Sequence, residues 1–129
     1  MGNVIDLSGR SVPPPQQRDG YRCFRTKEDG GPVERLFLVF RDPTQYLILA
    51  YDDLESIGPA RRRDPNAVAV LRFRGTVNRE VRIEGWALMY VVDRLWRRQA
   101  TSLSETPPGW RSRGGNSPYI TRISVREFR

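Results

Sequence analysis

The segment from Ala67 to Gly85, AVAVLRFRGTVNREVRIEG, constrains the fold of this chain more than any other. Apolar and polar residues alternate along both halves, which is the pattern of two half-buried strands. The inward residues are Ala69, Leu71 and Phe73 in the first strand and Val77, Val81 and Ile83 in the second. Both sets of side chains face the same core only if the numbers of any two residues that lie opposite each other add up to an even number. The pattern therefore predicts a hairpin whose loop, around Gly75, holds an odd number of residues.

The opposite face of this hairpin is polar, and we expect it to contact solvent. Arg72 is predicted to lie opposite or diagonal to Glu80, and a cross-strand pair of opposite charge stabilises a sheet modestly. The candidate binding residues on this face are Arg72, Arg74 and Arg82.

Two apolar runs on the N-terminal side predict a second hairpin. ERLFLVF (34–40) and QYLILAY (45–51) are separated by RDPT, a turn sequence with proline in second place. Both runs are apolar on both faces, so we expect both strands to be central in the sheet. Shorter patterns predict strands at 21–26, 101–105 and 119–128 and one capped helical turn at 52–58.

The last of these predicted strands has the sequence YITRISVREF. Alternation predicts Thr121, Ile123 and Val125 inward and Arg122 and Arg126 outward. If this strand lies beside the 67–85 hairpin, its two arginines extend the basic surface.

One convincing helix follows Gly85, over residues 86–99. At 100° per residue, its apolar positions form one stripe, made of Leu88, Val91, Val92, Leu95 and Trp96. Trp96 is therefore predicted at or near the buried edge. Arg97 and Arg98 then have a simple role as cations at a helix C-terminus.

These elements predict an α+β fold: a mainly antiparallel sheet of five or six strands with the amphipathic helix packed on one face. Residues 20–129 are expected to form this single domain. Residues 1–19, which include SVPPPQQRDG, have the composition of an extended proline-rich tail.

Catalytic and metal-binding chemistry is largely excluded by composition. The chain has no histidine and a single cysteine, so it holds neither a Ser-His-Asp or Cys-His arrangement nor a zinc site. The only lysine, Lys27, lies in a turn beside Glu28 and Asp29. We therefore expect no enzymatic activity, no cofactor and no metal. No run approaches the roughly 20 apolar residues of a membrane span, and a cytoplasmic location is expected.

The net charge of +7 is unevenly distributed. Residues 1–64 hold ten basic and ten acidic side chains, whereas residues 65–129 hold twelve basic and five acidic ones. A one-sided positive field attracts polyanions without distinguishing among them. The expected partner is a polyanion, either nucleic acid or an acidic protein surface.

The segment TPPGWRSRGG predicts a basic loop with an aromatic side chain. Pro107, Pro108 and Gly109 break regular structure before it. Tryptophan beside arginine is common on nucleic-acid-binding surfaces, through stacking and phosphate contact. Trp110, Arg111 and Arg113 are therefore candidate binding residues, although Trp110 is equally compatible with packing back on the sheet.

These observations favour a small non-enzymatic binding module that binds nucleic acid without sequence specificity. One alternative is a protein-interaction or assembly factor of bacterial, phage or mobile-element origin, such as an inhibitor or structural accessory, which binds an acidic protein surface. A further alternative comes from the order YDDLESI, VLRFRG and VRIEG followed by an amphipathic helix. This order resembles bacterial pleckstrin-homology-like domains, and the resemblance implies a ligand-binding domain.

Overall fold

The computed structural model describes residues 4–5, 11–12, 20–42, 44–58, 67–112 and 117–129. These stretches form ten strands and one helix. The strands are β1 (Val4–Ile5), β2 (Ser11–Val12), β3 (Phe24–Thr26), β4 (Arg35–Val39), β5 (Tyr46–Ala50), β6 (Leu54–Ile57), β7 (Ala67–Phe73), β8 (Asn78–Trp86), β9 (Ala100–Ser104) and β10 (Tyr119–Phe128). The helix, α1, is Met89–Trp96. Of the predicted tail, only β1 and β2 are described, and they pair antiparallel.

Most strands belong to two four-stranded sheets. Sheet I has the order β3-β9-β4-β5, and sheet II has the order β10-β8-β7-β6. All neighbouring strands run antiparallel except β4 and β9, which are parallel. The α+β class is confirmed, but the prediction of one sheet with five or six strands is wrong. The chain leaves the edge of sheet I at β5, passes through a 3₁₀ turn (Tyr51–Asp53), and starts the edge of sheet II with β6.

The two sheets and the helix bury one common cluster of apolar side chains. It includes Leu36 and Leu38 from β4, Leu71 from β7, Ile83 from β8 and Leu95 from α1. Burial of such side chains contributes roughly 1.5–3 kcal/mol each. The single cysteine, Cys23, belongs to the same cluster, as expected for a small buried apolar residue.

The hairpin predicted from alternation is present, and its paired residues have numbers with even sums, as predicted. Leu71 pairs with Val81 and Arg72 with Glu80, and both pairs have even sums. Val77 is an exception, because it lies in the loop between β7 and β8 and is exposed. Its assignment to the inward face was therefore wrong.

The hairpin of β4 and β5 is also confirmed, but only β4 is central. β5 is an edge strand, and its outward residues Tyr46 and Ile48 are exposed. Apolar residues on both faces of a strand favour a central position in a sheet. In β5 they instead leave an apolar outer face next to Phe37, whose ring stacks on Tyr46 with centroids 6.2 Å apart.

The helix is shorter than predicted at both ends. β8 continues to Trp86, and the left-handed residues Ala87 (φ 53°) and Arg98 (φ 55°) lie on either side of α1. Leu88, Val91 and Leu95 are buried as expected, whereas Trp96 is 59% exposed. Its predicted burial is wrong because successive helical residues are about 100° apart, so Trp96 points away from the side on which Leu95 packs.

β10 carries a bulge that changes which side chains face the core. The register shifts between Ile120 and Arg122, so Ile120 and Ile123 are both buried while Thr121 is exposed. The inward prediction for Thr121 is therefore wrong, since a bulge interrupts strict alternation. Arg122 and Arg126 are exposed, as predicted.

No helix within the described ranges has the length and apolar character that crossing a bilayer requires.

Candidate functional site

The outer face of sheet II collects arginines from three strands. Register places Arg72 of β7 opposite Glu80 of β8, and Glu80 opposite Arg126 of β10. Most inward positions of the same strands are apolar, so alternation directs these charged side chains to solvent. We call this surface the basic face; its residues are Arg72, Arg74, Arg82, Arg122 and Arg126 together with Glu55, Glu80 and Glu84.

Glu80 is the centre of the basic face. Its Oε2 lies 3.1 Å from Nη2 of Arg126 and 3.5 Å from Nη2 of Arg72. The hydrogen bond from Arg126 and the nearby guanidinium charges lower the pKa of Glu80. One carboxylate therefore orients two arginines, and both guanidinium groups still have more than half of their side-chain surface exposed.

The other ion pairs lie towards the margins of the face. Nε of Arg74 is 2.6 Å from Oε2 of Glu55, and Nε of Arg82 is 3.7 Å from Oε1 of Glu84. Exposed pairs of this kind contribute about 0–1 kcal/mol to stability, so they serve mainly to orient side chains. In the described part of the chain no carboxylate lies within ion-pair distance of Arg122. With five arginines and three glutamates, the basic face keeps a net positive charge.

One aromatic ring belongs to this surface and was not predicted. The guanidinium carbon of Arg72 lies 5.7 Å from the ring centroid of Phe128, which is within the range of a cation–π contact. Phe128 follows Arg126 by two residues and therefore shares its side of β10. The two-residue spacing between Arg126 and Phe128 in the sequence could have predicted that Phe128 belongs to the basic face.

Trp110 lies in an aromatic cluster at the start of β10. Its ring contacts Tyr21 with centroids 5.0 Å apart and Tyr119 with centroids 5.3 Å apart. Trp110 is half-buried, so it packs back on the body of the protein while keeping one side in solvent. Arg111, the next residue, is exposed. Arg113 lies outside the described residues.

Tyr21 links this cluster to both sheets. Its hydroxyl donates to the carbonyl oxygen of Ser104 at 2.5 Å and accepts from the backbone N–H of Ile120 at 2.9 Å. Burial raises the pKa of Tyr21 far above its ordinary value, so the hydroxyl stays protonated. The cluster therefore helps to position the first part of the strand that carries Arg122 and Arg126.

A second contact holds the free edge of β10. Nη2 of Arg41 donates to the carbonyl oxygen of Thr121 at 3.0 Å, and the N–H of Ile123 donates to Oε2 of Glu105 at 2.8 Å. Oε1 of Glu105 in turn accepts from the backbone N–H of Arg41 at 2.6 Å. These side chains satisfy edge groups that a strand otherwise leaves unpaired, and they fix the course of β10 beside β8.

The described site residues that were predicted thus lie in two places, the basic face and the aromatic cluster around Trp110. Arg72, Arg82, Arg122 and Arg126 share the basic face, and Arg74 lies at its margin. Trp110 instead contacts Tyr119, three residues before Arg122.

Two further observations concern the single cysteine and the acidic side chains. Desolvation raises the pKa of the Cys23 thiol to about 12, which keeps it protonated. The described residues contain no group of three acidic or cysteine side chains placed to hold a metal ion.

Comparison with protein-family models, with curated proteins and with solved structures finds no match for this chain.

Proposed function

We propose that the basic face binds the phosphate backbone of single-stranded nucleic acid without sequence specificity. The observation that carries the proposal is the alignment of four exposed arginines from β7, β8 and β10 on one open sheet surface. The role is one of binding, and it includes no catalytic step.

The chemistry of the face fits a backbone ligand better than a base ligand. Arginine presents a planar fork of donors that matches phosphate oxygens in pairs. Glu80 holds two of these forks in place, which lowers the entropic cost of binding. Phe128 is one aromatic ring in contact with Arg72. A single ring on which a base can stack adds affinity for nucleic acid but does not distinguish one base from another.

The test compares two double variants that remove the same charge. Arg82→Gln/Arg122→Gln alters the basic face, whereas Arg35→Gln/Arg97→Gln alters one arginine on β4 and the arginine that directly follows α1. Affinity for an unstructured oligodeoxynucleotide is measured across a salt series by fluorescence anisotropy. Each lost phosphate contact lowers the slope of log K against log salt by about 0.7 for single strands, so the first variant is expected to lose about 1.4 and the second to stay near wild type.

Two results would contradict the proposal. Equal slopes for both variants would show that only net charge matters. Absence of binding by the wild type at low salt would remove nucleic acid as a ligand and favour an acidic protein surface. Circular dichroism of each variant checks that the fold is retained.

A further inference from the structure

The outer face of sheet II extends beyond its arginines to two aromatic residues. Strand β8 continues to Trp86, and the two-residue repeat of a strand places Trp86 on the same side as Arg82 and Glu84. Tyr119, the first residue of β10, lies directly opposite Trp86. Opposite residues of an antiparallel pair direct their side chains to the same side of the sheet. The outer face therefore has a tryptophan and a tyrosine side by side at the start of β10.

Trp110 adds a third ring at this end of the sheet, because its centroid lies 5.3 Å from that of Tyr119. We call Trp86, Tyr119 and Trp110 the aromatic platform. All three residues are half-buried, but none of them belongs to the core cluster or to the described apolar residues that pack against it. In the described part of the chain no ring contact joins Trp86 to another aromatic residue. The platform thus lies outside the core and keeps ring surface accessible.

The polar atoms of the platform are also accessible. Within the described ranges the indole N–H groups of Trp86 and Trp110 and the hydroxyl of Tyr119 form no hydrogen bond, and none of these atoms is buried. Tyrosine and tryptophan that pack inside a protein usually find a partner for these groups. Tyr21 and Tyr51 do so, through Ile120 and Ala100. The platform is therefore a surface feature, unlike the two buried tyrosines.

The charges beside the platform are mainly positive. Arg122 and Arg111 are both exposed, and no carboxylate of the described residues lies within ion-pair distance of either guanidinium. The acidic residue of the basic face nearest the platform is Glu84, which lies opposite Arg122 and 3.7 Å from Nε of Arg82. Glu105, at the free edge of β10, accepts from two backbone N–H groups. One carboxylate of the face therefore lies beside three arginines.

We propose that the aromatic platform stacks the bases of a single strand whose phosphates contact the arginines of the basic face. This proposal rests on the function proposed above and specifies its ligand, which is a strand with unpaired bases. Aromatic rings beside a positively charged surface hold single strands without reading their sequence. Phe128 lies at the other end of β10, a ten-residue strand about 30 Å long. One bound strand can therefore contact rings at both ends of the face.

Two oligodeoxynucleotides of equal length, one of thymidine and one without bases, separate stacking from phosphate contact. Their affinities are compared by competition fluorescence anisotropy. The wild type is expected to prefer the thymidine strand at least about 5-fold, because one stacked base adds a factor of roughly 5 to 150. Trp86→Ala should lose this preference and bind the abasic strand as the wild type does. Arg82→Gln/Arg122→Gln should weaken the binding of both strands.

Trp96→Ala is the matched control, because it removes a tryptophan that is exposed on α1, outside the platform. We expect it to keep the wild-type preference. Circular dichroism checks the fold of each variant. A further measurement leaves the platform intact: Trp96→Phe retains Trp86 and Trp110 as the remaining two of three tryptophans. Stacking should quench their emission when the thymidine strand binds, and the abasic strand should quench it less.

The outcomes distinguish this inference from the function on which it rests. Equal binding of the two strands by the wild type, with weaker binding of both by the arginine variant, would overturn stacking and leave the proposed function intact. Absence of binding of either strand at low salt would overturn both. Equal weakening of both strands by Trp86→Ala, loss of the preference in Trp96→Ala, or unchanged emission in Trp96→Phe would overturn the inference alone.

Discussion

Replacing Gly85 with alanine tests the contact that sets the course of β10 across sheet II. A Cβ atom at this position would lie 2.0 Å from the carbonyl oxygen of Tyr119 and 2.9 Å from Cα of Ile120. Both neighbours are backbone atoms, so no side-chain rotation relieves the contact. Ordinary contact with a Cβ begins near 3.4 Å, and the start of β10 must therefore move by more than an ångström.

That movement affects more than one strand pair. Ile120 pairs with Gly85, bridges to Glu105 and donates to the hydroxyl of Tyr21. Overpacking costs about 1–3 kcal/mol where side chains can adjust, and each lost hydrogen bond costs about 1 kcal/mol. Because backbone is involved here, we expect Gly85→Ala to lower the free energy of unfolding by at least about 3 kcal/mol. A protein of typical stability would lose a large part of its 5–15 kcal/mol.

Urea denaturation followed by tryptophan fluorescence and circular dichroism provides the measurement. Gly58→Ala is the matched control, because Gly58 also pairs within sheet II and a Cβ there would meet the nearest atom, a carbonyl oxygen of Val70, at 3.4 Å. We expect the control to change stability by less than about 1 kcal/mol. If the two variants unfold at the same urea concentration, the close approach of β8 and β10 does not determine the stability of this region.

Three further predictions concern the helix and the buried tyrosines. Ala87→Gly should raise stability by about 0.5–1 kcal/mol in thermal unfolding, because glycine adopts positive φ without the steric cost; a loss would show that the methyl group packs usefully. Leu95→Ala should cost about 2–5 kcal/mol, whereas Arg94→Ala should stay within about 0.5 kcal/mol, and equal effects would contradict the orientation of α1. Burial raises the pKa of both Tyr21 and Tyr51 above the ordinary value of 10.0, so their contribution is complete below pH 10 and is lost as the pH rises above it. The free energy of unfolding should fall by up to about 1.4 kcal/mol per pH unit for each tyrosine; a flat profile between pH 10 and 11.5 would rule this out.

The basic face was largely predictable from the sequence. Alternation over 67–85 depends only on the two-residue repeat of a strand, and so it correctly predicted that paired residues have numbers with an even sum and that Arg72 lies opposite or diagonal to Glu80. The outward direction of Arg122 and Arg126 followed from the same repeat. The pairing of β10 with β8 did not follow, because adjacency of strands distant in the chain leaves no local pattern.

The sequence was sufficient to predict the features that depend on neighbouring residues or on composition. These are the two hairpins, an amphipathic helix and the absence of histidine chemistry. The exposure of individual side chains, in contrast, depends on which distant residues pack over them, and it became known only from the tertiary structure. Trp96 is exposed because the described residues pack only against the Leu95 side of α1. Thr121 faces outward because a bulge in β10 accompanies the close approach to Gly85. Burial and close contact arise where residues distant in the sequence pack together. The local periodicity of the sequence therefore does not predict them.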